Sequence, residues 1–174
     1  ELASRGEAPG AQYPPAAFDG RGILEDVDSC VGAAGRSFME LASMPLETRR
    51  GLVAAMRRAA LASVKRLSEL AVEETGLGRV EDKIRKNRLV AERTPGVEDL
   101  LPTAYSGDHG LTLVERAPYG VIGSITPSTN PSETIICNAI GMVAGGNAVV
   151  FNPHPSARVV SLTTIDVLNR AIAE

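Results

Sequence analysis

Two polar, proline-bounded loops hold the residues best placed to do chemistry. One is Thr126-Pro127-Ser128-Thr129-Asn130-Pro131, inside GVIGSITPSTNPSE at 120–133. The other is Asn152-Pro153-His154-Pro155, inside GNAVVFNPHP at 146–155. Each follows a short apolar run and opens onto a helical pattern, as at the ligand edge of a parallel α/β sheet, where helix N-termini and free backbone N–H groups converge. A polar side chain there, such as Asn130, can donate to a developing oxyanion. Asn130 also precedes Pro131 at a first helical position and lies three residues before Glu133, a capping-box arrangement. On spacing alone, the cap is the better reading. Ser128 and Thr129 can bind a ribose, a phosphate or a substrate oxygen, or satisfy loop backbone groups. Asn152 and His154, the latter held between two prolines, can hydrogen-bond a nucleotide ribose or adenine. The plainer alternative is a rigid turn with an exposed histidine.

The two cysteines, Cys30 and Cys137, read as structural. Cys137 lies about two turns into the helix after Asn130, between Ile136 and Ile140, where a thiol is a small core residue. Cys30 has no basic partner evident in sequence. No second histidine or carboxylate stands at metal-ligand spacing, so no metal site is expected. The Gly-x-Gly-x-x-Gly dinucleotide fingerprint is absent, and Gly120 and Gly123 do not replace it.

Periodicity outlines the elements that must position these loops. Residues 1–22, rich in Gly, Pro and Ala, read as a flexible arm or linker. A helical region follows over 23–96. Val27, Val31, Ala34, Phe38 and Leu41 form one apolar stripe. Pro45 suits the first turn of a second helix. Its face carries Val53, Met56, Ala60, Val64, Leu67 and Ala71, with a possible break near 59–62 and a stop at Gly76 and Gly78. A third helix spans about 80–93. The basic residues Arg79, Lys83, Arg85, Lys86, Arg88 and Arg93 could meet an anionic ligand, but the reading favoured is a solvated helix face. Residues 97–118 form a turn-rich connection with one strand at 111–115. The pattern then predicts a strand at 121–126, a helix at 131–143, a strand at 148–151 and a helix at 157–173. This β-α-β-α unit implies a parallel pair with a crossover. Residues 119–174 therefore read as the first half of a Rossmann-like sheet whose partner strands lie downstream.

Composition narrows the classes. With 18 basic and 21 acidic residues in 174, the chain is not a general nucleic-acid binder, and no Trp is present to supply a stacking platform. The stretch free of Asp, Glu, Lys and Arg, 134–157, is broken by Asn and Gly and reads as helix–turn–strand rather than a membrane span. Two cysteines make no disulfide framework, which suits a reduced, cytoplasmic compartment. No signal peptide is visible.

The segments APYGVIGSITPSTNPSETIICNAIGM and GNAVVFNPHPSA resemble the aldehyde dehydrogenase superfamily. More narrowly, they resemble the coenzyme A-acylating aldehyde dehydrogenases of ethanolamine and propanediol utilisation. PLETRR, ETGLGRVEDKIRKNRLVAERTPGVEDL and SGDHGLTLVERAPYG match the same branch, so the resemblance covers about 23–174. It implies an aldehyde dehydrogenase-like fold, an enzyme that oxidises a small aldehyde with NAD and delivers the acyl group to coenzyme A, and a homo-oligomer when full length. It also implies a location in the cytoplasm or inside a bacterial microcompartment. In that chemistry a cysteine thiolate attacks the aldehyde, hydride passes to the nicotinamide, and coenzyme A takes the acyl group.

Carried over residue by residue, the resemblance sets Thr126, Pro127 and Ser128 beside the nicotinamide and Asn152, Pro153 and His154 beside the adenosine ribose. Superfamily members that release free acids usually show Pro-x-Asn-x-Pro, with the Asn donating to the oxyanion. Here the order is Pro127-Ser128-Thr129-Asn130-Pro131, with the Asn one place later. Asn130 is the oxyanion candidate and Thr129 its rival. Relatives commonly carry Lys where this chain has Asn152. The family's nucleophilic cysteine lies downstream of these segments, and neither Cys30 nor Cys137 aligns with it. The expectation is the N-terminal part of such an enzyme, inactive by itself. The alternatives are a stand-alone nucleotide- or coenzyme A-binding module and a structural remnant; a free-acid-forming dehydrogenase is disfavoured by the Ser128-Thr129-Asn130 loop.

Overall fold

The computed structural model describes residues 22–173, so the arm expected at 1–22 lies, apart from Gly22, outside the described residues. Helix α1 spans Val27–Ser43. It begins where the Asp26 carboxylate accepts from the Ser29 N–H at 2.8 Å and from the Ser29 hydroxyl at 2.7 Å, satisfying first-turn donors. Its apolar stripe is buried only toward the C-terminal end. Ala34 and Leu41 are buried, whereas Val27 and Val31 are exposed.

Helix α2, Leu46–Thr75, is a single element of 30 residues, about 45 Å long. The break considered near 59–62 does not occur. Alanine is the best helix former, and Ala60, fully buried, continues the stripe from Met56 to Val64. Pro45 is the N-cap rather than a first-turn residue. Gly76, at φ +67°, closes the helix in the left-handed conformation, its N–H bonded to the Val72 carbonyl, which a residue without Cβ adopts at little cost. Helix α3 spans Val80–Arg93.

A hairpin follows, with β1 at Thr103–Gly107 and β2 at Gly110–Val114, antiparallel around Asp108-His109. Sequence reading found one strand here. β1 escapes it because Thr103-Ala104-Tyr105-Ser106-Gly107 carries no apolar alternation, whereas Leu111-Thr112-Leu113 in β2 does.

Strands β3, Val121–Thr126, and β4, Ala148–Pro153, pair in parallel, from Val121↔Ala148 to Thr126↔Pro153. Helix α4, Pro131–Ala144, connects them, and α5, Arg158–Ala173, follows β4. This is the β-α-β-α unit expected. β4 runs two residues past its expected end because Asn152 and Pro153 stay in register with Ile125 and Thr126, and the His154 N–H bonds the Thr126 carbonyl at 3.1 Å. Val53, Met56, Ala60, Leu67, Ala91, Ile135, Ile136, Ile140 and Leu168 form one core, in which α2 packs against α3, α4 and α5. No helix among the described residues is long and apolar enough to cross a membrane.

The turn into β4 fixes the start of β3 as well. The Asn147 N–H bonds the Met142 carbonyl across Gly145-Gly146, closing α4. The Asn147 side-chain oxygen accepts from the N–H groups of Tyr119 and Gly120 at 2.6 and 3.0 Å, and its amide donates to the Met142 carbonyl at 3.2 Å. One buried side chain thus joins the entrances of both parallel strands, and with them the level at which the two loops emerge.

Candidate functional site

Asn130 occupies the N-cap position of α4, but its side chain makes no cap hydrogen bond. Its backbone, at φ −138° and ψ 60°, departs from the extended geometry usual for a cap. Its Oδ1 accepts from Lys86 Nζ at 3.1 Å, and its Nδ2 lies 3.4 Å from Thr129 Oγ1. Glu133 does not complete a capping box either. It is buried and forms an ion pair with Lys83 at 3.4 Å, with the two side chains 5% and 3% exposed. Its other oxygen accepts from the Ser132 hydroxyl at 3.2 Å. Lys83 Nζ also donates to the Thr129 carbonyl. The cap favoured on spacing alone is therefore not made, because two lysines of α3 claim the groups that would make it.

This corrects the reading of the α3 basic run as merely a solvated face. Arg79, Arg85, Arg88 and Arg93 are exposed as expected, but Lys83 and Lys86 hold the loop. Sequence reasoning missed both. A usable signal existed: Lys83, Asn87 and Ala91, all buried, recur every fourth residue, and Glu133 is a lone charge opening an apolar helix. The two lysines also line an open cleft of about 340 Å³ with Gly78, Arg79, Asp82 and Arg85. There the Arg79 guanidinium donates to Asp82 at 2.7 Å and holds its carboxyl below the usual carboxylate range.

Thr126 ends β3 on the face that α4 and the core cover. It is 1% exposed, and its Oγ1 has no hydrogen-bond partner among the described residues. Two residues earlier, Ser124 accepts from Asn138 of α4 at 3.0 Å. Pro127 and Thr129 are exposed, with Ser128 partly buried between them.

Asn152 pairs in register with Ile125, and both are exposed; by strand alternation they share the sheet face opposite Thr126. His154 Nδ1 accepts from the Ser156 N–H at 3.2 Å and lies 2.8 Å from its hydroxyl. With Nδ1 engaged by Ser156, Nε2 is the ring nitrogen left for a ligand. The start of α5 is not a vacant anion site, because the Glu74 carboxylate accepts from the N–H groups of Val159 and Val160 at 2.7 Å each. A ligand at this strand end must rely on Asn152 and His154 rather than on the helix terminus. For a nicotinamide dinucleotide the donors fit in kind: an unsatisfied Thr126 hydroxyl at one strand end, and a carboxamide with an imidazole at the other.

Cys137 is partly buried on α4, and Cys30 is partly buried on α1; both are free thiols. Among the described residues, no group of three or more His, Cys, Asp and Glu could hold a metal ion.

The profile of the Aldehyde dehydrogenase family matches residues 20–173. The chain belongs to the aldehyde dehydrogenase family. It is 52% identical over 153 residues to an acetaldehyde dehydrogenase (acetylating) of Bilophila wadsworthia, a match covering 88% of this chain and 31% of that one. A propionaldehyde dehydrogenase from the Clostridium phytofermentans fucose utilisation bacterial microcompartment superposes with a TM-score of 0.83 at 51% identity, over 86% of this chain and 34% of that one. A Rhodopseudomonas palustris propionaldehyde dehydrogenase with bound propionyl-CoA gives 0.86 at 46% identity, over 96% and 38%. This aldehyde dehydrogenase chain thus spans about a third of the length of the relatives it matches, and the matched part is N-terminal. The mixed α/β fold, with its helical region ahead of β3-α4-β4-α5, is the fold of that portion of the acylating enzymes.

Proposed function

We propose that the chain supplies the N-terminal part of an NAD-dependent, coenzyme A-acylating aldehyde dehydrogenase, which converts a small aldehyde, coenzyme A and NAD to acyl-coenzyme A and NADH. The observation that carries this reading is Asn130. It stands at a helix N-terminus without capping it, and Lys86 on its oxygen turns its donor toward Thr129. A carboxamide donor beside an uncapped helix start stabilises charge developing on a substrate oxygen. Removing one such donor costs about 2.7–4 kcal/mol of transition-state stabilisation in a comparable site. Thr129 is the rival donor for the same role, and its hydroxyl lies 3.4 Å from Asn130 Nδ2.

NAD, when bound, accepts the hydride. Thr126, Pro127 and Ser128 would flank its nicotinamide, and Asn152, Pro153 and His154 its adenosine ribose. Coenzyme A is the acyl acceptor, and the acetaldehyde and propionaldehyde relatives support a short aldehyde. The microcompartment relative supports work in the cytoplasm or within such a compartment; a homo-oligomer of the full-length enzyme is part of the same proposal.

Two assays test the reading. The 174-residue chain, mixed with acetaldehyde, NAD and coenzyme A, is expected to form no NADH; clear turnover would show that it needs no further nucleophile. Joined to the remaining two thirds of the Bilophila wadsworthia relative, it is expected to form NADH only when coenzyme A is present. A folded hybrid with no turnover, or one releasing free acid, would sink the assignment.

A further inference from the structure

The N-terminal residues of α4 and the side chains of α3 raise a question that the oxyanion reading leaves open: why Asn130, at an N-cap position, does not cap. We infer that Lys86 is a positioning residue for Asn130, and that Lys83 sets the backbone on which it acts. This rests on the catalytic reading of Asn130 above.

Three observations lead there. First, Lys83 Nζ donates to the Thr129 carbonyl, which holds the peptide plane between Thr129 and Asn130. Lys83 cannot drift, because it is buried and paired with Glu133. The held peptide keeps Asn130 at φ −138° and ψ 60°, with its side chain within reach of Lys86. Second, Lys86 lies one turn after Lys83 on the same side of α3, and its ammonium contacts Asn130 Oδ1 at 3.1 Å. An ammonium has donors only, so this contact selects the oxygen and fixes which way the carboxamide faces. Third, Nδ2 is thereby left toward Thr129 Oγ1, at a distance of 3.4 Å that leaves it weakly engaged. A carboxamide donor that is oriented but not consumed is what a developing oxyanion requires.

Without Lys86, nothing charged holds Oδ1, and the default for an N-cap asparagine is to accept from the amides two or three residues on, here Ser132 and Glu133. Lys86 therefore keeps Asn130 from acting as a cap. Lys86 is exposed, so replacing it leaves the core intact.

The test is nuclear magnetic resonance on the 174-residue chain and its Lys86→Met and Lys86→Arg variants. In Lys86→Met the Asn130 side-chain NH2 signals are expected to shift, and the Ser132 and Glu133 backbone amides to exchange on the order of fivefold more slowly as they gain a cap. Lys86→Arg, which still donates to Oδ1, is expected to keep the parent signals. An Asn130 side chain that does not respond to Lys86→Met overturns the inference. The readout needs no turnover, so it separates from the catalytic reading: an inactive hybrid enzyme with a Lys86-dependent Asn130 would sink the proposed function and uphold the positioning role.

Discussion

Lys83 and Glu133 meet at 3.4 Å with their side chains 3% and 5% exposed, joining the first turn of α3 to the first turn of α4. They are 50 positions apart in the chain, and each is the other's only ion-pair partner among the described residues. Burying the two charges is costly, and the pair is tolerable only because each is matched. Lys83 gains a further acceptor in the Thr129 carbonyl, which makes the pair a support for the loop as well as for the helix interface.

Lys83→Met is expected to destabilise the chain by about 3–5 kcal/mol, since Glu133 would be left buried and unmatched. The double variant Lys83→Met with Glu133→Met is expected to recover most of that loss, because no buried charge remains. Urea unfolding of the parent, both single variants and the double variant gives the coupling. Additive losses would mean that the two groups do not sense one another.

Glu74→Ala removes the carboxylate that accepts from Val159 and Val160. A loss of about 1–2 kcal/mol is expected, the usual magnitude for a deleted cap, with faster hydrogen exchange at those two amides. The start of α5 would then have two amides without an acceptor, a site that favours small anions. Unchanged exchange at both amides would count against this account of how α5 begins.

Asn147→Ala leaves the Tyr119 and Gly120 N–H groups without their acceptor. Gly120 is buried, so a loss of about 1–3 kcal/mol is expected, with line broadening concentrated at the first residues of β3 and β4. A variant as stable as the parent would show that the strand entrances are held by other contacts.

Asp26 supplies a pH dependence. The Ser29 hydroxyl, and next the Ser29 N–H, donate to its carboxylate and hold it below the usual carboxylate range. A depressed carboxylate contributes stability that is present above its unfolded value and lost as pH falls through its folded value. The first turn of α1 is therefore expected to fray as pH drops below about 4, and Asp26→Asn to remove that dependence. Amide exchange at Ser29 and Cys30 between about pH 5 and pH 2.5 reads it; identical profiles for parent and variant would contradict the assignment.

Much of the fold was legible because it is written locally. Pro45, Gly76 and the Pro95-Gly96 step bracket the helices, and the apolar stripe of α2 from Val53 to Ala71 is buried as its spacing requires. Gly145-Gly146 separates α4 from β4 where the turn occurs. The hairpin was half legible, because β2 alternates Leu111-Thr112-Leu113 while β1, equally exposed, carries no such alternation. The α1 stripe marks the helix that forms, but periodicity does not say what covers a face: Val27 and Val31 remain exposed.

The sequence alone determined the α/β order, the two strand-end loops, and the resemblance that led to the aldehyde dehydrogenase family, because each depends on residue types and short spacings along the chain. Tertiary structure decided what Asn130 does. Spacing made it a cap with Glu133, whereas folding brings Lys86 and Lys83, more than 40 positions earlier, onto the groups a cap would use. It likewise decided that Glu74 fills the start of α5, 85 positions away. The physical reason is the same in both cases. A charged group approaching through space competes with the local hydrogen bond, and burial favours whichever arrangement leaves no charge unmatched.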